Sequence, residues 1–530
     1  MTPSTISHAP PGNPVVRNTG HLRPAGRKTP AIMVVGTMSN SGKSVVTAAL
    51  CRYFTQKGYH PAPFKAQNMS LNSFVTREGG EMGRAQVVQA QAAGIEPHTD
   101  MNPVLLKPMG ESGCQVILNG RSIGNVPARD YYAMKVRMQT AAQEAYDRLA
   151  ARHDLIILEG AGSPAEINLQ AEDFVNMAMA EYAGAAALLV ADIDRGGVFA
   201  GIYGTVSLLP EKHRRLVAGI IINKFRGDKS LLDPGLRQIE HLTGIPVLGV
   251  LPYIQNLAID DEDSLGLNTR QHGKGTILDI VVIRLPRISN FTDFLPLENT
   301  PGLRVRYISA VRDLGTPDLI IIPGTKNTRG DLRFLTGNGW AAALQKATHR
   351  SIPIFGICGG YQMLGKCVTD PTGIEGVKGA EPGLNLLPLT TVLEDKKQLA
   401  QVAGQTTVDL PFAVAGTPFD GYEIHAGRTT ATAPIRHPLV ITQRLAERTN
   451  DSEGAIADNG LIFGCYIHGL FDNNSLRTQL ISWLCERKGL SWQTAPHQNT
   501  SGEAVDRLVA LLEQHIAMKP IDRLVKLNHC

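Results

Sequence analysis

Around Cys358 the chain reads Ile352-Pro-Ile-Phe-Gly-Ile-Cys-Gly-Gly-Tyr-Gln-Met-Leu-Gly365. A thiol set among Gly356, Gly359 and Gly360 has the surroundings of a nucleophile, because glycines tolerate unusual dihedrals and let a substrate approach the backbone. Ile352, Ile354, Phe355 and Ile357 read as a short buried strand, and Tyr361-Gln-Met-Leu364 opens a helix. A strand that turns sharply into a helix around one side chain is a nucleophile elbow. A helix N-terminus also favours the thiolate of a cysteine placed on it. A buried cysteine in an α/β core is the alternative reading.

A second constellation lies near the other end. Ala31-Ile-Met-Val-Val35 is a predicted strand, followed by Gly36-Thr-Met-Ser-Asn-Ser-Gly42-Lys43-Ser44 and a helix from Val45 to about Lys57. Strand, glycine-rich loop and helix in that order make a phosphate-binding loop. N–H groups between Gly36 and Gly42 and the helix N-terminus would hold phosphate oxygens. Lys43 would reach the terminal phosphates of ATP, and Ser44 could ligate Mg²⁺. Asp154-Leu-Ile-Ile-Leu-Glu159 is an apolar strand ending in an acid, which makes Glu159 the expected carboxylate on the Mg²⁺ side. Asn223-Lys224, at another strand end, could read a nucleotide base. The polar stretch from Pro63 to Asn72 reads as a loop offering a substrate surface.

These residues need two frameworks to position them. Strands alternating with helical segments up to Leu248-Gly-Val-Leu-Pro252 imply a parallel sheet with ligands at its carboxyl edge. A second set, at Leu278–Leu285, Leu303–Ser309 and Asp318–Ile322, leads to the elbow. Leu461-Ile-Phe-Gly-Cys-Tyr-Ile467 then reads as one strand that delivers His468. The expected fold is therefore α/β throughout. The expected division is a tail at 1–29, a P-loop domain at 30–255, a linker at 256–276, the elbow domain at 277–484 and a helical extension at 485–530.

The spacing Gly356-x-Cys358-x-Gly360-x-Gln362 resembles the elbow of class I glutamine amidotransferases, in which the cysteine attacks the side-chain amide of L-glutamine and ammonia is released. That resemblance implies a base at His468 and an oxyanion hole with N–H groups from Gly324 and Gly359, with Gln362 beside the glutamine. Most such domains carry Glu two residues after the histidine, whereas this chain has Leu470. Glu423, in Gly421-Tyr-Glu-Ile-His-Ala-Gly427, is the candidate third member. The P-loop has five residues between its glycines instead of the common four, which resembles the dethiobiotin synthetase branch. A dethiobiotin synthetase-like ATPase followed by an amidotransferase lacking that Glu resembles the cobyrinic acid-amidating family. Lys65-Ala-Gln-Asn-Met-Ser-Leu-Asn-Ser73, Ala191-Asp-Ile-Asp-Arg-Gly-Gly-Val-Phe199 and Leu285-Pro-Arg-Ile-Ser-Asn-Phe-Thr-Asp-Phe294 resemble one branch of it.

The resemblance implies ATP-dependent amidation of the b, d, e and g carboxylates of a corrinoid polycarboxylate, an adenosylcobyrinic acid a,c-diamide, with glutamine as nitrogen donor. It implies no prosthetic group. Another amidating ligase of this type, such as an a,c-diamide synthase, remains open at this point. So does a P-loop regulatory ATPase with an inactive amidotransferase-like domain.

Composition narrows the classes further. The 530 residues carry a formal charge of +4 and no Lys/Arg-rich run, which gives no footing for nucleic acid. The longest apolar run, from Ala183 to Ala191, is too short to span a bilayer. The seven cysteines are odd in number and form no C-x-x-C pair, which points to a reducing cytoplasm. Residues 1–29 are rich in Pro and Gly with no acid and no apolar core, so they read as a disordered tail and not a signal peptide.

Overall fold

The computed structural model describes residues 28–109, 113–127, 131–170, 173–254, 277–408, 410–492 and 501–527. The expected linker at 256–276 and nearly all of the expected tail lie outside them.

Every residue of Ala31–Gly36 and of Leu155–Glu159 is buried. Such strands are covered on both faces, the usual condition of a parallel sheet. Six strands form the first sheet, in the spatial order Val247–Pro252, Val217–Phe225, Ala186–Asp192, Ala31–Gly36, Leu155–Glu159, Pro61–Phe64. All of its pairs are parallel. Later strands add on both sides of Ala31–Gly36, which opens a crevice at the carboxyl ends of the central strands. Helix Lys43–Gln56 starts there.

The stretch from Pro63 to Asn72 is more ordered than its polarity suggests. Pro61–Phe64 is the edge strand of the large sheet, and Gln67–Met69 pairs with Val104–Pro108 in a small four-stranded sheet. The polar side chains are satisfied internally, as where Asn68 Nδ2 donates to Gln86 Oε1 at 2.9 Å, and this lets such a segment be buried.

The second domain has two sheets. One runs in the order Leu303–Ile308, Leu278–Ile283, Leu319–Ile322, Ile354–Ile357, Ile462–Cys465, Ala455–Ile456, with only the last pair antiparallel. The other is built on the long antiparallel strands Leu389–Thr406 and Pro418–Ala431. The stretch from Leu461 to Ile467 is two strands, not one. Ile462–Cys465 pairs with the elbow strand, and Ile467–His468 crosses to pair with Tyr422 and Glu423 of the other sheet. Nucleophile and histidine thus come from different sheets.

Helices Ser501–His515 and Met518–Leu527 follow the second domain in sequence. They return to the first, where Val505, Leu508, Val509 and Leu512 join the core formed by Val46, Leu50 and Phe54. Arg52 Nε to Asp506 Oδ1 at 2.7 Å and Tyr53 Oη to Asp522 Oδ1 at 2.9 Å fix them on the helix behind the P-loop. Among the described residues no helix is long and apolar enough to cross a membrane, and the six described cysteines are unpaired.

Candidate active site

Cys358 has φ 53° and ψ −108°, between strand Ile354–Ile357 and helix Gly359–Leu364. A non-glycine residue in that region is held by its surroundings at a cost in strain. The elbow can turn so tightly because Gly360 lacks a side chain: a Cβ there would lie 1.9 Å from the Ile322 carbonyl oxygen. Cys358 is almost buried, with Sγ 3.6 Å from the Ile424 carbonyl oxygen.

His468 lies on the other side of the thiol and is fully buried. Its Nδ1 is 2.6 Å from Asp293 Oδ2, and the Gly469 N–H donates to Asp293 Oδ1 at 3.2 Å. With Nδ1 on Asp293, Nε2 is left for the hydrogen bond to Cys358. Burial alone would oppose charge on the ring. The negative charges of Asp293 and Cys358 and their hydrogen bonds outweigh it, and the pKa of His468 is pushed up to about 10. The Tyr422 ring stacks on the imidazole at 5.2 Å between centroids, tilted by 18°.

The carboxylate at the histidine is therefore Asp293, and the expectation for Glu423 is corrected. Side chains alternate along a strand, so Tyr422 faces His468 while Glu423 points to the opposite face of Pro418–Ala431. There Glu423 Oε2 accepts from Arg444 Nε at 2.8 Å. Burial would raise the Glu423 pKa, but His425 and Arg444 hold it below the usual range. Asp293 was missed because it stands in an earlier segment. Its one signal is an acid enclosed in the apolar run Phe291-Thr-Asp-Phe294.

The loops expected to form an oxyanion hole meet at this point. A Cβ on Gly324 would lie 3.2 Å from His468 Cε1, and one on Gly359 would lie 2.7 Å from Thr325 Cγ2. Gln362 is buried, and both ends of its amide are engaged within the protein. Oε1 accepts from Thr328 Oγ1 at 3.0 Å and Nε2 donates to Tyr466 Oη at 3.2 Å, so the side chain braces the elbow helix.

In the first domain Gly42 has φ +103°, which favours glycine, and a Cβ there would lie 2.0 Å from Asn223 Nδ2. A Cβ on Gly36 would fall 2.3 Å from Ser41 Oγ. Asn223, expected at a nucleotide base, donates to the Ser41 carbonyl at 2.9 Å and so shapes the P-loop. Lys43 Nζ donates to the Met38 and Gly162 carbonyls at 3.0 and 3.1 Å, curled across the loop. Ser44 Oγ donates to Glu159 Oε1 at 2.9 Å. Lys65 Nζ also meets Glu159 Oε1 at 2.9 Å, and Gln89 Nε2 donates to Oε2 at 2.5 Å. Burial would raise the Glu159 pKa, but the charges of Lys65 and Lys43 and the hydrogen bonds from Lys65 and Gln89 hold it low. Ser44 and Glu159 bring two hard oxygens together beside Lys43, a donor set that fits Mg²⁺.

The two sites share a wall. A cavity of about 500 Å³ is lined by Lys43, Gly162 and Asn72 of the first domain and by Phe291 of the second. The Phe291 N–H donates to Asn72 Oδ1 at 3.2 Å, and the Ser73 N–H donates to Asn290 Oδ1 at 3.0 Å. Tyr422 Oη donates to the Ser73 carbonyl at 3.2 Å. Nearby, buried Glu81 takes Lys107 of its own domain at 2.7 Å and Lys397 of the other at 2.5 Å.

Two family models account for most of the chain. The CobQ/CobB/MinD/ParA nucleotide binding domain matches residues 32–266, and the CobB/CobQ-like glutamine amidotransferase domain matches residues 279–476. A cobyric acid synthase of Pelotomaculum thermopropionicum is 48% identical over 507 residues, 94% of this chain and 97% of that protein. The chain belongs to the cobyric acid synthase family. A cobyric acid synthase of Yersinia enterocolitica is 48% identical over 508 residues, 94% of this chain and 98% of its own. This member of the cobyric acid synthases is accordingly an enzyme, a glutamine amidotransferase-type ligase of cobalamin biosynthesis. Membership agrees with the order of domains, a nucleotide-binding sheet followed by an amidotransferase sheet.

Proposed function

We propose that this cobyric acid synthase uses ATP and L-glutamine to amidate the b, d, e and g carboxylates of adenosylcobyrinic acid a,c-diamide, giving adenosylcobyric acid. The observation that carries this reading is the shared wall. Phe291 lines the cavity that contains Lys43, and it stands two residues before Asp293, which holds His468.

A carboxylate is a poor electrophile. In the first domain a substrate carboxylate oxygen attacks the γ-phosphorus of ATP, the bond to the β-phosphate oxygen breaks, and ADP leaves. N–H groups around Gly36 and Gly42 and the Lys43 ammonium stabilise the transferring phosphoryl group. Ser44 and Glu159 would hold Mg²⁺, which supplies charge neutralisation at the phosphates. The product is an acyl phosphate.

In the second domain Cys358 Sγ attacks the amide carbon of glutamine. The proton that the thiol gives up already rests on His468, which passes it to the departing ammonia, while N–H groups near Gly324 and Gly359 stabilise the oxyanion. Asp293 orients the ring through Nδ1 and stabilises its charge, which leaves Nε2 for Cys358. Water then hydrolyses the glutamyl thioester. Ammonia attacks the acyl phosphate carbon and inorganic phosphate leaves. A cytoplasmic setting, where thiols stay reduced and ATP and glutamine are at hand, suits this reading.

Isotope transfer tests the acyl phosphate. With substrate carboxylates labelled with ¹⁸O, each amide formed should move one label into inorganic phosphate. Amide formation without label in phosphate would contradict the proposal.

A further inference from the structure

Away from its phosphate end, the first-domain cavity has a mixed rim. Met69 and Leu169 both line it, yet they are 55% and 45% exposed. Ile167, in the same loop as Leu169, is 66% exposed. Large apolar side chains left open at the mouth of a polar cleft mark a surface that a ligand covers.

The polar part of the lining is unusual for a site that takes a polyacid. Among the described residues no arginine lines the cavity. Of its lysines, Lys43 and Lys65 are engaged at the phosphate end. Lys135 is the remaining one, and burial lowers its pKa while Asp173 partly offsets this. Elsewhere the lining carries amides, at Gln67, Asn72 and Gln170, together with the carboxylates Glu166 and Asp173, so this part presents no net excess of cations to an acidic ligand.

Two constraints explain this combination. A cavity of about 500 Å³ is the size that holds one drug-sized ligand. Nucleotide phosphates and a single acidic side arm would take up such a volume, which leaves a macrocycle to rest on the rim. The ligand also changes between rounds, because each amidation replaces a carboxylate with a carboxamide. An arginine fork matched to carboxylates would face the wrong partner after the first round. Amide side chains both donate and accept, and so serve either group.

We propose that Met69 and Leu169 form a ledge for the apolar face of the corrinoid, above a lining that reads its side arms without preference for their charge. This rests on the corrinoid reading of the function. It assigns a docking surface to residues that take no part in phosphoryl transfer or glutamine hydrolysis.

The test is steady-state kinetics with adenosylcobyrinic acid a,c-diamide and with its pentaamide. Met69→Ser and Leu169→Ser change exposed positions and should fold normally, as their melting temperatures would verify. Each should raise the KM for the corrinoid roughly fivefold, as expected for losing part of one buried apolar side chain. The KM for ATP, the kcat and glutamine hydrolysis should stay within about twofold. Met69→Arg should lower the KM for the diamide relative to that for the pentaamide, because the added cation favours the ligand with more carboxylates. Unchanged corrinoid KM in both serine variants, with normal amidation by the unaltered enzyme, would overturn the ledge. Failure of the unaltered enzyme to amidate any corrinoid acid would overturn the functional reading itself, and the ledge with it.

Discussion

The Asp293 carboxylate lies 2.6 Å from Nδ1 of His468, although 175 positions separate them in sequence. We propose that this contact serves in place of the Glu which the resemblance to class I amidotransferases leads one to expect at position 470. Asp293→Asn keeps the shape but removes the charge that stabilises the protonated ring. Glutamine-dependent amidation should fall roughly a hundredfold or more, while synthesis from ammonium salt should stay near normal. Comparing the two nitrogen donors in one preparation checks this.

Glu423→Gln should behave differently. Its carboxylate is paired with Arg444 at 2.8 Å, on the face of the strand away from His468. Loss of that pair should lower stability by about 1–3 kcal/mol. Thermal denaturation would register it, and glutaminase activity per folded molecule should stay within about twofold. Loss of glutaminase activity at full stability would return Glu423 to the site.

The charge on His468 makes stability depend on pH. Its folded pKa is about 10, against about 6.5 for an unfolded histidine. The folded state therefore binds the extra proton between those values. The contribution is fully present below about pH 6.5, declines as pH rises, and is gone above about pH 10. Denaturant unfolding of the native protein and of His468→Gln at several pH values should show a gap that narrows over that window. A gap that widened toward alkaline pH would contradict the ion pair.

What the sequence could reveal followed from distance along the chain. The P-loop and the elbow consist of neighbouring residues, so steric demands at Gly42, Cys358 and Gly360 are written locally. Glu159 was readable as an acid at the end of an apolar strand. Its partners Lys65 and Gln89 were not, because they reach it from the neighbouring strand segment and a packed helix. His468 was found at a strand end, but its placement depends on a crossing between sheets at Tyr466 that no periodicity announces. Glu423 lay in the right strand on the wrong face. Strand alternation separates it from Tyr422, and only the pairing of Tyr422 with His468 reveals which of the two faces inward. The return of the C-terminal helices to the first domain is equally non-local, since an amphipathic helix does not state which core it covers.

The division of labour between two sites is tested most directly by Cys358→Ala, assayed with each nitrogen donor. The substitution removes the nucleophile that opens glutamine and leaves Lys43, Ser44 and Glu159 in place. The variant should make no amide from glutamine. It should still amidate with a high concentration of ammonium salt, at a rate that rises with pH as more of the ammonia is unprotonated. Lys43→Ala, run beside it, should fail with both donors. Equal loss of activity with glutamine and with ammonium in Cys358→Ala would contradict the two-site account.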